Sequence, residues 1–254
     1  MAILYQFLLA LLLSVFQSCF VLFKGYFLSL EFTLYPYLID HGFIPYKNIL
    51  DQHFPSVFFG TFSLPSMSYT SSAPILIFFL LILLISNLLL YRYLVVSKNN
   101  HPLFWLFLYI VLMAYFSVNI LWLETFVNFL LIIVLNLSRS KVRTSHFLIG
   151  IILSQVILLR PTLLPAIVFL SLYLSIFNYK NLLGFFVGLF ASFCYLLINR
   201  NLKDFIDLAI VFNTSVYSKK SFLMPSLKQA LVVLSVYLYT WLNFYQSKKS
   251  LIFI

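Results

Sequence analysis

Long apolar runs alternate with short polar breaks along this chain, and the spacing of the breaks predicts an all-α, polytopic transmembrane helix bundle. The first run covers about Leu4 to Phe23 and ends at Lys24. Pro74 opens a second run to about Val96, closed by Arg92, Lys98, Asn99 and Asn100. A third starts after His101-Pro102 and stays apolar to Leu137, with Asn119, Glu124 and Asn128 inside it. That is too long for one crossing of a hydrocarbon core of roughly 30 Å, so a division is expected near Val118 to Leu121. From His146 to Phe177 another run is interrupted by Arg160-Pro161-Thr162. Proline lacks an amide hydrogen and biases its predecessor away from helix, so a break is expected there. The two halves then read as short or kinked helices packed inside the bundle. Runs at about Leu182 to Ile198 and Ala230 to Phe244 complete a set of about eight crossings. They form a single domain over 1–254 with two long polar connections, 25–73 and 199–228. The first of these is expected to carry short interfacial helices.

Composition agrees with lipid as the solvent. The chain is 63% hydrophobic and 9% charged, against about 25% charged in soluble domains. Cys19 and Cys194 both fall in apolar runs, which argues against a disulfide or a zinc site. The first run is too long for a typical signal-peptide core and reads as a retained helix.

The net charge of +10 is explained by basic residues anchoring span ends at headgroups. No basic cluster has the interleaved polar aromatics of a nucleic-acid surface, so nucleic acid is not an expected partner. The short loops that would face the cytoplasm carry Arg92, Lys98, Arg139, Lys141, Arg143, Lys180, Lys248 and Lys249, while the short connections opposite carry only Arg160. The positive-inside rule then puts both long loops outside.

Candidate chemistry gathers in the first long loop. The stretch Tyr37 to Pro55, YLIDHGFIPYKNILDQHFP, holds Asp40, His41, Gly42, Tyr46, Lys47, Asp51 and His53. Carboxylates at Glu31, Asp40 and Asp51 suit removal of a proton from an acceptor hydroxyl. Arg160, Arg200 and Lys203, with Lys219 and Lys220, suit a phosphate leaving group. Each has an ordinary alternative. Asp40 fits a helix-end hydrogen bond and Asp51 a helix cap. Arg160 can snorkel to headgroups, and Tyr35, Tyr37 and Tyr46 fit an interfacial aromatic belt as well as a sugar-stacking surface. Gly42 is read as a turn residue with positive φ. His41 and His53 have metal-binding donors, but their spacing is not diagnostic, and no metal or cofactor is assigned. Glu124 and Asn128 share a helix face inside an apolar run, as a structural polar pair or as the lining of a cavity.

Several of these elements, taken in order, resemble the GT-C superfamily of integral-membrane glycosyltransferases. The likeness is to the branch around dolichyl-phosphate-mannose–protein mannosyltransferases and the bacterial RgtA/B/C/D-like enzymes. It is carried by Glu31 after the first span, the run FTLYPY, the Gly42-x-x-Pro45-Tyr46 element, then Asp51 and Pro55. Glu124 in WLETFVNF, the LLRPTLLP break at Arg160 and FIDLAIVFNTSVY at 205–217 extend it. The resemblance implies an inverting enzyme that moves a sugar from a polyprenyl-phosphate donor to a lipid, glycan or protein acceptor outside a bacterial inner membrane. Taken with the residues of the outer loops, Glu31, Asp40 and Asp51 are expected as catalytic residues, and Tyr46, His53, Glu124, Arg160, Arg200 and Lys203 as substrate contacts. The chain then covers roughly the amino-terminal half of such an enzyme. A non-catalytic alternative, a transporter, flippase or truncated scaffold, shares the same span pattern.

Overall fold

The structure is a computed structural model and describes residues 2–24, 34–59, 73–115, 123–140, 142, 144–174, 176, 178–217 and 231. The chain divides into two compact units, Met1–Ile210 and Val211–Ile254. In the first, the described elements are helical and run α1 (Ala2–Lys24), α2 (Leu34–Asp40), α3 (Ser56–Phe59), α4 (Ala73–Val96), α5 (Pro102–Tyr115), α6 (Leu123–Ser138) and α7 (Ser145–Leu159). A 3-10 turn at Pro161–Leu163 leads to α8 (Leu164–Tyr173), followed by α9 (Tyr179–Ile198) and α10 (Leu202–Phe205). A π-helical turn, Ile206–Val211, reaches the unit boundary. In the second unit the described residues include another, Asn213–Tyr217.

The helix limits follow local chemistry. Asn178 caps α9 by accepting from the amides of Lys180 and Asn181 at 3.0 and 3.1 Å. After α7, Arg160 swings to φ −141°, Pro161 opens the 3-10 turn, and Pro165 stands in the first turn of α8, where its missing amide hydrogen is harmless. The break expected from the sequence at Arg160-Pro161 is therefore real. The expected division near 118–121 lies outside the described residues.

Helices α1, α4 and α9 contain stretches long and apolar enough to cross a membrane: Leu4–Phe23, Leu76–Val96 and Tyr179–Ile198. Helices α5 to α8 are apolar but shorter; the 16 residues of α6 rise only about 24 Å. Large apolar side chains lie outside, among them Leu8, Leu12 and Phe16 of α1 and Phe186, Phe190 and Phe193 of α9. Water would penalise such a surface, whereas hydrocarbon accepts it.

Small and polar residues lie inside. On α9 the buried face is Asn181, Gly184, Gly188, Ser192 and Leu196. It meets α7 in the most extensive helix–helix contact among the described residues. Glycine permits that approach: a Cβ on Gly184 would collide with the Phe147 carbonyl, and one on Gly150 with the Asn181 carbonyl. Both helices run the same way, because Phe147 lies against Gly184 while Gln155 reaches the Gly188 carbonyl. Small residues four apart, letting backbones touch, are the usual device for helix pairing in lipid. Between α1 and α4 the link is polar: the buried Asn87 amide donates to Gln17 Oε1 at 2.7 Å.

This packing sorts the charged groups by end. Asn136 of α6 donates to the Leu89 carbonyl of α4, and Arg139 stacks on Tyr93 at 5.7 Å, so α4 and α6 finish together. Helices α7 and α9 start at that end, which gathers Arg92, Lys98, Arg139 and Lys180. At the opposite end α7 stops, α6 begins and the first loop packs.

Candidate functional site

The first loop folds as a set of tight turns locked onto the ends of α7 and α9. Helix α2 closes at Gly42, whose φ is +84°. Gly42 N–H donates to Ile39 O and Phe43 N–H to Leu38 O, at 3.0 and 2.9 Å, the Schellman pattern that needs a left-handed residue. Its glycine is thus demanded by backbone conformation, as expected. The chain then turns at 44–48, where Asn48 Oδ1 accepts from the Ile44 amide at 3.0 Å.

Tyr46 occupies the left-handed region at φ +66° although it is bulky. Such a conformation persists only when its surroundings over-determine it, and here three contacts do. Its amide donates to Ile49 O at 2.9 Å. Its hydroxyl donates to the His53 carbonyl at 2.7 Å. Its ring is 1% exposed and packs edge-on against Phe58 and Phe205. Burial, and secondarily the Asp51 charge, push its phenol well above the ordinary 10.0, so the hydroxyl stays a donor.

Asp51 is the centre of the cluster. Its Oδ1 accepts from both the amide and Nδ1 of His53, each at 2.6 Å. Its Oδ2 accepts from the Tyr35 hydroxyl of α2. The Asp51 side chain is 5% exposed and that of His53 21%. Burial pushes the Asp51 carboxyl up, but the hydrogen bonds from His53 and Tyr35 and the attraction of His53 outweigh it, leaving its pKa below 3.8. The stability this linkage contributes is complete above the ordinary carboxylate value and is lost as pH falls through the lower folded value. The tyrosine near-ultraviolet dichroism of the folded chain should therefore melt at progressively lower temperature as pH falls from the ordinary carboxylate range through the lower folded value. In Asp51→Asn that part of the slope should vanish.

Two distant groups anchor the loop. Asn201, wholly buried just past α9, donates from Nδ2 to the Pro45 carbonyl at 2.7 Å, 156 residues away in sequence. It is delivered there by a second Schellman turn, with Arg200 at φ +53° and the Asn201 amide on Leu196 O at 3.1 Å. Ser56 Oγ donates to Gln155 Oε1 of α7 at 2.7 Å. Gln155 stands five residues before Arg160, about 7.5 Å along the helix.

Arg160 there forms an ion pair with Glu124, at the start of α6. The other carboxylate oxygen, Oε2, is buried without a hydrogen-bond partner. Arg200 and Lys203 are exposed at the α9–α10 corner, and Asp40 is exposed at the end of α2. The structure therefore brings Tyr46, Asp51 and His53 together as one unit and Glu124 with Arg160 as another. Asp40 is not among the groups hydrogen-bonded to Asp51, which are Tyr35 and His53. Glu31, Lys219 and Lys220 lie outside the described residues. Among the described residues no group of three or more potential metal ligands is present.

Sequence reasoning missed Asn201, Gln155 and Ser56, and took Tyr35 for an aromatic surface when its hydroxyl serves Asp51. Nothing in the stretch Pro45 to Asn48 named a partner 156 residues on. Comparison of the chain with protein-family models, with curated proteins and with solved structures finds no match.

Proposed function

We propose that the chain is a multi-pass membrane glycosyltransferase of the GT-C type, with about eight crossings. It takes a sugar from a polyprenyl-phosphate donor and gives it to a hydroxyl acceptor at the outer face of a bacterial inner membrane. The observation that carries the reading is the Asp51 cluster: an ionised, nearly buried carboxylate held by His53 and Tyr35 in a loop pinned to two helix ends. Permanent positioning of an acid–base group on rigid elements is what transfer chemistry asks for. Support also comes from cations toward that end of the bundle. Arg160, Arg200 and Lys203 are of the type that would hold a departing lipid phosphate, Arg160 already oriented by Glu124. The opposite end, with Arg92, Lys98, Arg139 and Lys180, suits the cytoplasmic side. On this reading the loop lies outside, where a lipid-linked sugar is met at headgroup level.

The full chain in lipid nanodiscs, given radiolabelled undecaprenyl-phosphate mannose or undecaprenyl-phosphate glucose, should release or transfer labelled sugar. Asp51→Ala should lower turnover by about 10²-fold or more. Equal turnover in that variant would remove the mechanism. A second reading, a non-catalytic membrane scaffold, is favoured by one observation: both carboxylates, Asp51 and Glu124, are already committed to partners inside the chain. Absence of sugar release from either donor, with the fold intact, would favour the scaffold.

A further inference from the structure

We propose that His53 Nε2, with Asp51 as the residue that orients it, is the atom that takes the acceptor's proton; this rests on the transferase reading and names its base. The bonding of Asp51 points away from direct catalysis. Oδ1 already accepts two hydrogen bonds and Oδ2 a third. Only 5% of the side chain is exposed. A general base must come within hydrogen-bond reach of the hydroxyl it deprotonates, and a carboxylate surrounded by its own loop's donors is poorly placed for that. His53 is the more accessible partner.

The tautomer follows from the geometry. An ionised carboxylate only accepts, so the ring nitrogen 2.6 Å from Asp51 Oδ1 must carry the hydrogen. In the neutral imidazole that leaves the lone pair on Nε2. Among the described residues, Nδ1 is the ring nitrogen with a hydrogen-bond partner. The backbone of His53 is held on both sides, its amide by Asp51 and its carbonyl by the Tyr46 hydroxyl. Tyr46 is itself locked by the aromatic packing of Phe58 and Phe205. The strained Tyr46 turn thus fixes where the ring sits.

The step balances as follows. An acceptor hydroxyl oxygen bonds to the anomeric carbon on the face opposite the phosphate. The bond from that carbon to the phosphate oxygen breaks, and its electron pair leaves on polyprenyl phosphate. The hydroxyl proton passes to Nε2, and the imidazolium so formed is stabilised by Asp51.

The test uses the full chain in nanodiscs with undecaprenyl-phosphate mannose or glucose, reading free labelled sugar as well as transferred sugar, so that water can serve as acceptor. His53→Ala should lose about 10²- to 10⁴-fold in kcat with donor KM unchanged, and added imidazole should restore part of it. Asp51→Asn should lose turnover without imidazole rescue, because its neutral Oδ1 can still accept from the His53 amide and Nδ1 but no longer stabilises the imidazolium that forms. Nitrogen-15 spectra of histidine-labelled protein should show His53 with hydrogen on Nδ1 in the wild type and loss of that preference in Asp51→Ala, which removes the acceptor. That readout does not depend on turnover. A wild type with hydrogen on Nε2, or a His53→Ala chain with undiminished kcat beside an active wild type, overturns the inference and leaves the transferase standing. A folded wild type that consumes neither donor removes both.

Discussion

Gly184→Val should destabilise the chain by about 3 kcal/mol, the upper part of the range for overpacking a tight contact. The reason is the seam between α7 and α9. A side chain at Gly184 would meet the Phe147 carbonyl, and one at Gly150 the Asn181 carbonyl. Both obstacles are backbone, so relief requires the helices to part. Gly188→Ala should be milder, because its neighbour is the Ser154 hydroxyl. That side chain can rotate, at the loss of its 2.7 Å bond to the Ile151 carbonyl. Phe190→Ala, on the opposite and 68% exposed face of α9, should shift stability by less than about 0.5 kcal/mol. Helicity followed through a denaturing-detergent titration ranks the three. A Gly184→Val protein as stable as the Phe190→Ala protein would show that the two backbones do not lie in contact. The seam also matters for the site, since α9 leads into Asn201, which holds Pro45. Opening the seam should therefore loosen the Tyr46 turn as well as the bundle.

The helices were legible because lipid imposes a coarse rule: apolar runs become helices, and proline with arginine ends one. Ala73–Val96 and the Arg160-Pro161 break follow from that rule alone. The stretch after Asn199 was expected as a polar loop, yet Leu202–Phe205 and Ile206–Val211 are helical. Its alternating apolar residues, Phe205 and Ala209 among them, pack against the first loop's aromatic cluster, and tertiary contact outweighs a weak local signal. Which helices pair was not legible. Gly184, Gly188 and Ser192 had the spacing of a packing face, but spacing identifies a face and leaves its partner open.

The site was legible in its residue types and illegible in its roles. Asp51, His53 and Tyr46 stood out as polar or turn-forming residues among apolar ones. That Tyr46 takes a positive φ runs against the habit of bulky side chains, so no local pattern announces it. Whether Asp51 acts directly or through His53 depends on a 2.6 Å contact that only the folded turn creates. Long-range links obey the same limit: Glu124 and Arg160 are 36 residues apart, and their pairing follows from how α6 and α7 pack.

That pair yields the second large effect. Arg160→Ala should cost about 2 kcal/mol of stability, between the negligible value of exposed pairs and the 3–5 kcal/mol of fully buried ones. The intermediate value reflects side chains about one-third exposed, 32% for Arg160 and 36% for Glu124. Removing the guanidinium leaves a carboxylate at an apolar helix end, with Oε2 already buried and unpartnered. Glu124→Gln should cost less, because an amide tolerates that environment better than a lone charge. The double variant Glu124→Leu/Arg160→Leu should regain most of the stability, since apolar replacements of an ion pair are often neutral. Activity separates the two roles of Arg160. If the pair only braces α6 against α7, sugar release returns with stability in the double variant. If Arg160 also holds the donor phosphate, stability returns and turnover does not, with donor KM raised about tenfold or more. A phosphate-holding role for Arg160 requires the second pattern, and full recovery of both would leave the donor phosphate to be held by Arg200 and Lys203 at the α9–α10 corner.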